Sequence, residues 1–302
     1  MGDLGYAARR IALVFGFAAL AACGGAGEEQ AAAQKTAPSS GEILDAVVAG
    51  AWREEDAARD VYRNPKDTLQ FFGLAPDMTV IEIWPGGGWY TKVIAPYIAQ
   101  GGGVYTAAVP TLAPDPGWRA ERLKQFKAAY VGNPDLFGEV RLAEFGKTSP
   151  AVAPEGSADM ILTFRNVHNW MAGGFAEKAF TDFYAALKPG GVLGVVDHRL
   201  PADTEQDPNA ASGYVREDVV VAMAEAAGFE LADRSDVNAN PKDDADHPFG
   251  VWTLPPRLRA SNYGEDATPE FDHAPYKAIG ESDRFTLKFV KPEFGADGAL
   301  LE

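Results

Sequence analysis

Thr79-Val80-Ile81-Glu82-Ile83-Trp84-Pro85-Gly86-Gly87-Gly88-Trp89-Tyr90 is the stretch on which the fold turns. Its first five residues are β-branched and apolar apart from Glu82, the composition of a short buried strand. Residues 85–88 then break the run with a glycine-rich turn, and 89–99 resumes at helical spacing despite Pro96. Strand, tight turn and helix in that order open a βαβ unit.

The same alternation extends outward. Downstream, 104–109, 139–145, 159–164, 192–196, 229–234 and 285–290 read as strands, and 118–131, 175–187 and 217–227 as helices. Lys188-Pro189-Gly190-Gly191 stops the second of these helices. Upstream, 42–63 reads as one helix with Ile43, Val47, Trp52 and Val61 on its apolar face. There Glu54, Glu55 and Asp56 alternate with Arg53, Arg59 and Arg63, as on a solvated, ion-paired face. A short helix at 67–72 follows. Crossovers of a dozen residues or more imply parallel pairing with helices on both faces. The last two strands lack a helical crossover, so they pair antiparallel, with the Pro-, Asp- and Asn-rich stretch 238–283 as a long insertion from the hairpin. The expected fold is a doubly wound α/β, seven-stranded, mostly parallel sheet with an antiparallel C-terminal hairpin. A helical extension, 42–78, precedes it, and the folded domain is 42–302.

In such a sheet ligands bind at the carboxyl ends of strands where the strand order reverses. That rule selects residues 82–90, 108–116, 165–170 and 197–199. Two of the four histidines, His168 and His198, fall there. Each has polar neighbours in sequence: Arg165, Asn166 and Asn169 for one, Asp197 and Arg199 for the other. An imidazole titrating near neutrality can remove a proton from an acceptor, and an adjacent carboxylate can orient it or raise its pKa. The competing expectation is that each histidine hydrogen-bonds loop backbone and fixes a strand end. His247 and His273 lie in the insertion, which could act as a lid. Asp243, Asp244, Asp246 and His247 match no metal-loop spacing and read as a solvated acidic loop, so no metal is expected.

The 80–88 string, an apolar strand, an acid and then glycines, resembles the first motif of class I S-adenosylmethionine-dependent methyltransferases. Asp159-Met160-Ile161-Leu162 and Leu187-Lys188-Pro189-Gly190-Gly191 resemble that family's fourth strand and its turn into the fifth. Trp84 to Tyr90, Asp197-His198-Arg199 and the closing Leu287 to Pro292 resemble, more narrowly, a bacterial group of predicted methyltransferases. The resemblance implies S-adenosylmethionine as cofactor, with Glu82, Trp84, Gly86, Gly87, Gly88 and Asn166 binding it; position at the strand ends makes His198, then His168, the expected base. Glycines let the cofactor approach the backbone, and Glu82 would hold its amine. Two departures stand out. Trp84 replaces the family's first glycine, and Pro85 biases it toward an extended backbone. No acid closes the second strand to hold the ribose until Asp115. A nicotinamide enzyme fits less well, because Gly-x-Gly-x-x-Gly spacing is absent after the first strand.

The 302 residues carry 43 Asp and Glu against 27 Lys and Arg, a net charge of −16 that repels phosphate backbones and excludes nucleic acid as a partner. Arg9 and Arg10 precede a 12-residue apolar run, Ile11 to Ala22, too short to span a bilayer. Leu20-Ala21-Ala22-Cys23 contains the only Cys and resembles a bacterial lipoprotein lipobox. A signal peptide at 1–22, acylation of Cys23, a flexible tether at 23–41 and a periplasm-facing outer-membrane lipoprotein are therefore expected. The acceptor would be a small molecule or an envelope component; no partner protein is indicated. A non-catalytic envelope lipoprotein using the fold to bind another ligand or a protein is the alternative. Cys23→Ser should release the protein from the membrane fraction or leave it unprocessed; unchanged fractionation and migration would exclude the anchor.

Overall fold

Ser39-x-x-Glu42 sets where the fold begins. The Ser39 hydroxyl accepts from the Glu42 amide at 3.3 Å, and the Glu42 carboxylate accepts from the Ser39 amide at 2.8 Å. This capping box starts α1 (Ser40–Val48), so the last residues of the expected tether are helical. The computed structural model describes residues 37–112, 117–262, 264–266 and 268–294. The expected signal peptide, Cys23, most of the tether and Asp115 lie outside the described residues. Among the described residues no helix is long and apolar enough to cross a membrane.

The helix expected over 42–63 is broken. After α1 come a 3₁₀ turn, Ala51–Arg53, then α2 (Glu54–Ala57) and α3 (Asp60–Arg63). The expected solvated face is inverted: Arg53 and Arg63 are 0% and 3% exposed, whereas Val61 is 74% exposed. Arg53 reaches the Val48 carbonyl and Asp60 and lies over the Trp89 ring. Val48 and Asp60 lie 5 and 7 residues away, off the i, i+4 spacing, and Trp89 comes from another segment, so helical periodicity cannot foresee these partners. Asn64, at φ +38, then leads into α4 (Pro65–Phe72), whose first residue is a proline.

The βα succession follows as expected: β1 (Thr79–Ile83), α5 (Thr91–Gly101), β2 (Val104–Pro110), α6 (Trp118–Phe126), α7 (Pro134–Phe137), β3 (Val140–Phe145) and β4 (Ala158–Phe164). The expected single helix 118–131 ends instead in a π-helical turn, Lys127–Val131. Next come α8 (Val167–Gly173), absent from the sequence reading, α9 (Ala176–Ala186), β5 (Leu187–Leu200), the two-residue β6 (Val215–Arg216), α10 (Glu217–Ala226), β7 (Glu230–Ser235), α11 (Ala274–Ile279) and β8 (Arg284–Val290). The strand order is β3-β2-β1-β4-β5-β8-β7, with β6 beside β5. Pairing is parallel except for β8, antiparallel to both β5 and β7. The seven-stranded expectation thus holds for the main path, and β6 brings the sheet to eight.

Alternation along β1 assigns its faces. Ile81 and Ile83 join the core formed with α8, α9 and α10. Val80 joins the opposite core, with α1, α4 and α5. Glu82 shares that second face and is 2% exposed.

In the acidic run of the insertion Asp244 and Asp246 are exposed, as expected, but Asp243 and His247 are not. Asn238 donates to Thr68 and Thr286, each at 2.9 Å. The Asp243 side chain is 0% exposed and accepts from the Tyr214 hydroxyl, His247 Nε2 and the amides of Ala245 and Asp283, at 2.8–3.0 Å. Buried acceptors with several donors order a loop without a core of its own. Asp243→Ala would leave these donors unpaired, so urea unfolding should show a loss of about 2–4 kcal/mol and residues 238–283 should become protease-sensitive.

Candidate functional site

The strand order reverses between β1 and β4, and a cleft of about 660 Å³ opens there at the strands' carboxyl ends. Its floor includes Glu82, Trp84, Gly86, Gly87, Arg165 and Asn166. His168 and His198 line it as well, so both expected histidines reach the cleft onto which β1 opens. Residues 251, 252 and 254–257 of the insertion form one wall, in place of a detached lid.

The turn after β1 departs from expectation. Trp84 is not extended: it adopts φ +49, the left-handed region that glycine occupies without strain. Its side chain compensates. The indole Nε1 donates to the Phe145 carbonyl at 2.9 Å, and its ring packs edge-on against Phe145 and Trp170, with centroids 6.3 Å apart in each pair. Trp84 thereby walls the cleft and clamps the β1 turn to β3. Gly86, at φ +64, has nothing within 4 Å of where a Cβ would stand. Its backbone is open to a ligand. Gly88, also expected to bind cofactor, does not line the cleft. A Cβ there would stand 2.3 Å from the Tyr130 ring, and the Tyr130 hydroxyl donates to the Gly87 carbonyl at 2.8 Å. The π-helical turn presents Tyr130 at this point, which gives Gly88 a packing role.

Glu82 Oε2 accepts from the hydroxyls of Thr91, at 2.9 Å, and Tyr105. Burial pushes its pKa up to about 7, against the hydrogen bonds from Tyr105 and Thr91 and the charge of Arg165. Asn166 Nδ2 donates to the Ile83 carbonyl at 2.9 Å and to Thr163 Oγ1 at 3.2 Å, tying the end of β4 to that of β1.

The histidines differ from expectation in their partners. Asp197, fully buried, turns to His168: its Oδ1 lies 3.0 Å from His168 Nδ1, and its Oδ2 accepts from the Val167 amide at 2.7 Å. The carboxylate therefore holds His168 with Nδ1 as donor and Nε2 as acceptor, 3.0 Å from the Asn169 amide nitrogen. His198 receives no such support, and its Nδ1 lies 2.5 Å from Ser282 Oγ. Its pKa falls well below the usual imidazole range, through burial first and then the charges of His168 and Arg284. The expected rise from Asp197 does not occur, because that carboxylate points to the other ring. Arg199 turns to Asp236 and the Arg284 carbonyl.

Sequence reasoning missed a cluster of guanidinium groups around Glu281. Arg59 Nε and Arg63 Nε donate to its two oxygens at 2.6 and 3.0 Å, and Arg284 Nη2 donates to Oε2. Burial pushes the Glu281 pKa up, but Arg284, Arg63 and Arg59 outweigh it and hold the carboxyl at about 2. Arg165, at φ +63 just past β4, completes the group. The i, i+4 spacing of Arg59 and Arg63 was visible in the sequence, but their common partner lies more than 200 residues away.

Solved structures with the same architecture include a SAM-dependent methyltransferase from Aquifex aeolicus, 15% identical with TM-score 0.51, covering 82% of this chain and 98% of that one. A putative sarcosine dimethylglycine methyltransferase from Galdieria sulphuraria aligns at 14% identity with TM-score 0.50, over 79% of this chain and 88% of that one. The fold is that of the S-adenosylmethionine-dependent methyltransferases. No protein-family model and no curated protein sequence matches the chain.

The raised pKa of Glu82 has a stability consequence. The folded state keeps its proton up to about pH 7, whereas the unfolded carboxyl releases it near 4.5. Its contribution is therefore fully present below pH 4.5 and is lost as pH rises to about 7. Glu82→Gln removes this dependence. Denaturant unfolding should show the variant gaining on the parent by about 3 kcal/mol between pH 4 and pH 8; a constant difference would exclude the protonated buried carboxyl.

Proposed function

We propose that the chain is an S-adenosylmethionine-dependent methyltransferase, facing the periplasm from a lipid anchor at Cys23 and acting on a small or envelope-associated acceptor. The observation that carries the reading is the pairing, in one cleft at the strand-order reversal, of the open Gly86 backbone with the buried carboxyl of Glu82. Both suit the cofactor. Gly86 admits close backbone approach, and Glu82 can receive a cationic amine that would favour its ionised form. Val109, Pro110 and Leu112, at the end of β2, offer an apolar surface for a base.

Bound there, S-adenosylmethionine supplies an electrophilic methyl group to an in-line nucleophile. The chain's own residues position that nucleophile and handle its proton. His168 is the better base: the hydrogen bond from its Nδ1 to Asp197 fixes its tautomer and orientation and leaves Nε2 as the acceptor. His198, neutral and close to Arg284, suits a hydrogen-bonding role toward the acceptor. Asn169 occupies His168 Nε2 and, being exposed, can yield it to an acceptor. The lack of an acid at the end of β2 favours the second reading, a non-catalytic binding protein.

Calorimetry with S-adenosylhomocysteine and S-adenosylmethionine tests the first step. The affinity of S-adenosylhomocysteine should rise with pH and level off above about 7, as Glu82 ionises. Glu82→Gln should flatten that profile, and Gly86→Leu should abolish binding while the sheet stays folded. Absence of heat with both compounds would exclude the methyltransferase reading.

A further inference from the structure

The guanidinium cluster exceeds what the fold needs. Arg59, Arg63, Arg165 and Arg284 all act on the single carboxylate of Glu281 and all line the cleft. Glu281 has its two oxygens occupied by three of them. The Arg165 guanidinium donates no hydrogen bond among the described residues. Arg63 and Arg284 are 3% and 2% exposed, yet Arg63 Nη1 and Arg284 Nε have no partner, nor does Arg59 Nη2. Buried charged donors without acceptors are costly, and like charges packed together add to that cost. Burial and mutual repulsion accordingly press the pKa values of Arg63 and Arg165 downward. An anion entering the cleft would satisfy the free donors and relieve the repulsion at once. The general charge of the chain, −16, gives no reason for such a concentration.

The cluster also stands beside the histidines. Arg284 pairs with His198 in register across β5 and β8, and Ser282, next to Glu281, contacts His198 Nδ1. The Arg165 amide donates to the Val196 carbonyl at 2.7 Å, which sets its Cα at the same strand ends. Arg63 lies over the Trp89 ring, 4.7 Å from the centroid, so its fork is held by stacking as well as by Glu281. Planar, positioned guanidiniums suit carboxylate or phosphate oxygens.

We propose that Arg59, Arg63, Arg165 and Arg284 form an oxyanion subsite in this cleft, and that the methyl acceptor carries a carboxylate or phosphate group held there beside His168 and His198. The subsite follows from the cluster alone; calling its occupant the acceptor rests on the methyltransferase reading.

Inorganic phosphate and acetate, titrated separately into the full chain at low ionic strength, test the subsite and distinguish the two groups. At least one should bind, and binding should persist at saturating S-adenosylhomocysteine. Arg165→Gln, which removes no ion pair to Glu281, should weaken it about tenfold or more, as expected for losing a charge-assisted hydrogen bond. Arg59→Gln should act in the same direction, and Arg141→Gln, on the exposed face of β3, should leave it unchanged. Far-UV circular dichroism checks that each variant is folded. No binding of either anion, or equal binding by the parent and both cleft variants, overturns the subsite. Displacement of the anion by S-adenosylhomocysteine overturns its assignment to the acceptor, because the cluster then holds the cofactor's own carboxylate. Failure of S-adenosylhomocysteine to bind at all removes the methyltransferase reading and leaves the anion titration to judge the subsite.

Discussion

The Glu281 carboxylate, 2% exposed, is the group on which the functional end of the molecule depends. It joins Arg59 and Arg63, at the start of the fold, to Arg284, at the head of the last strand. Without it, three guanidiniums would share a buried space with no counter-charge, a situation that costs several kcal/mol wherever one partner of a buried ion pair is removed. The carboxylate therefore makes the N-terminal helices part of the cleft and not an appendage. It also fixes the return of the insertion, since Asn240 donates to the Glu281 carbonyl at 2.7 Å and Ser282 meets His198.

Around that anchor the cleft separates charges by partner. Asp197 goes to His168 and fixes that imidazole's orientation and tautomer, while His198, facing arginines, stays neutral. Glu82, on the same floor, is neither solvated nor paired with a guanidinium and holds its proton to about pH 7. One cleft thus contains a fixed cationic cluster, a carboxyl that ionises near neutrality and a histidine with its own carboxylate. This division of roles suits a reaction in which one reactant brings a cation and the other a nucleophile.

The N-terminal helices also show how local pattern and tertiary packing disagree. Alternating acids and bases over 53–63 carry the pattern of a wet surface, and in most helices that reading would hold. Here Arg53 and Arg63 both lie over the Trp89 ring, and the helix is broken between them. Asp243 is a parallel case. Its run of acids looks solvated, yet the donors of Tyr214, His247 and Asp283 bury its side chain. In both stretches some of the deciding partners, Trp89 and Glu281 in one and Tyr214 and Asp283 in the other, are distant in sequence.

What the sequence determined by itself is the succession of strands and helices, the doubly wound sheet with its antiparallel end, and the position of the cleft. These follow from local hydrophobic periodicity, from turn residues and from the few topologies such a succession allows. It also brought Glu82, Gly86, His168 and His198 to one end of the sheet, because each follows a parallel strand or sits at its close. Only the tertiary structure decided which partner each charge takes. Asp197 adjoins His198 in the chain, but its carboxylate hydrogen-bonds His168 on the neighbouring element, while the His198 ring meets Ser282. Gly88 belongs to Tyr130, Trp84 takes a glycine's conformation because Phe145 and Trp170 hold its ring, and four arginines from three separate segments meet at Glu281. Pairings of this kind are long-range contacts between charged or aromatic groups, and no local period encodes them.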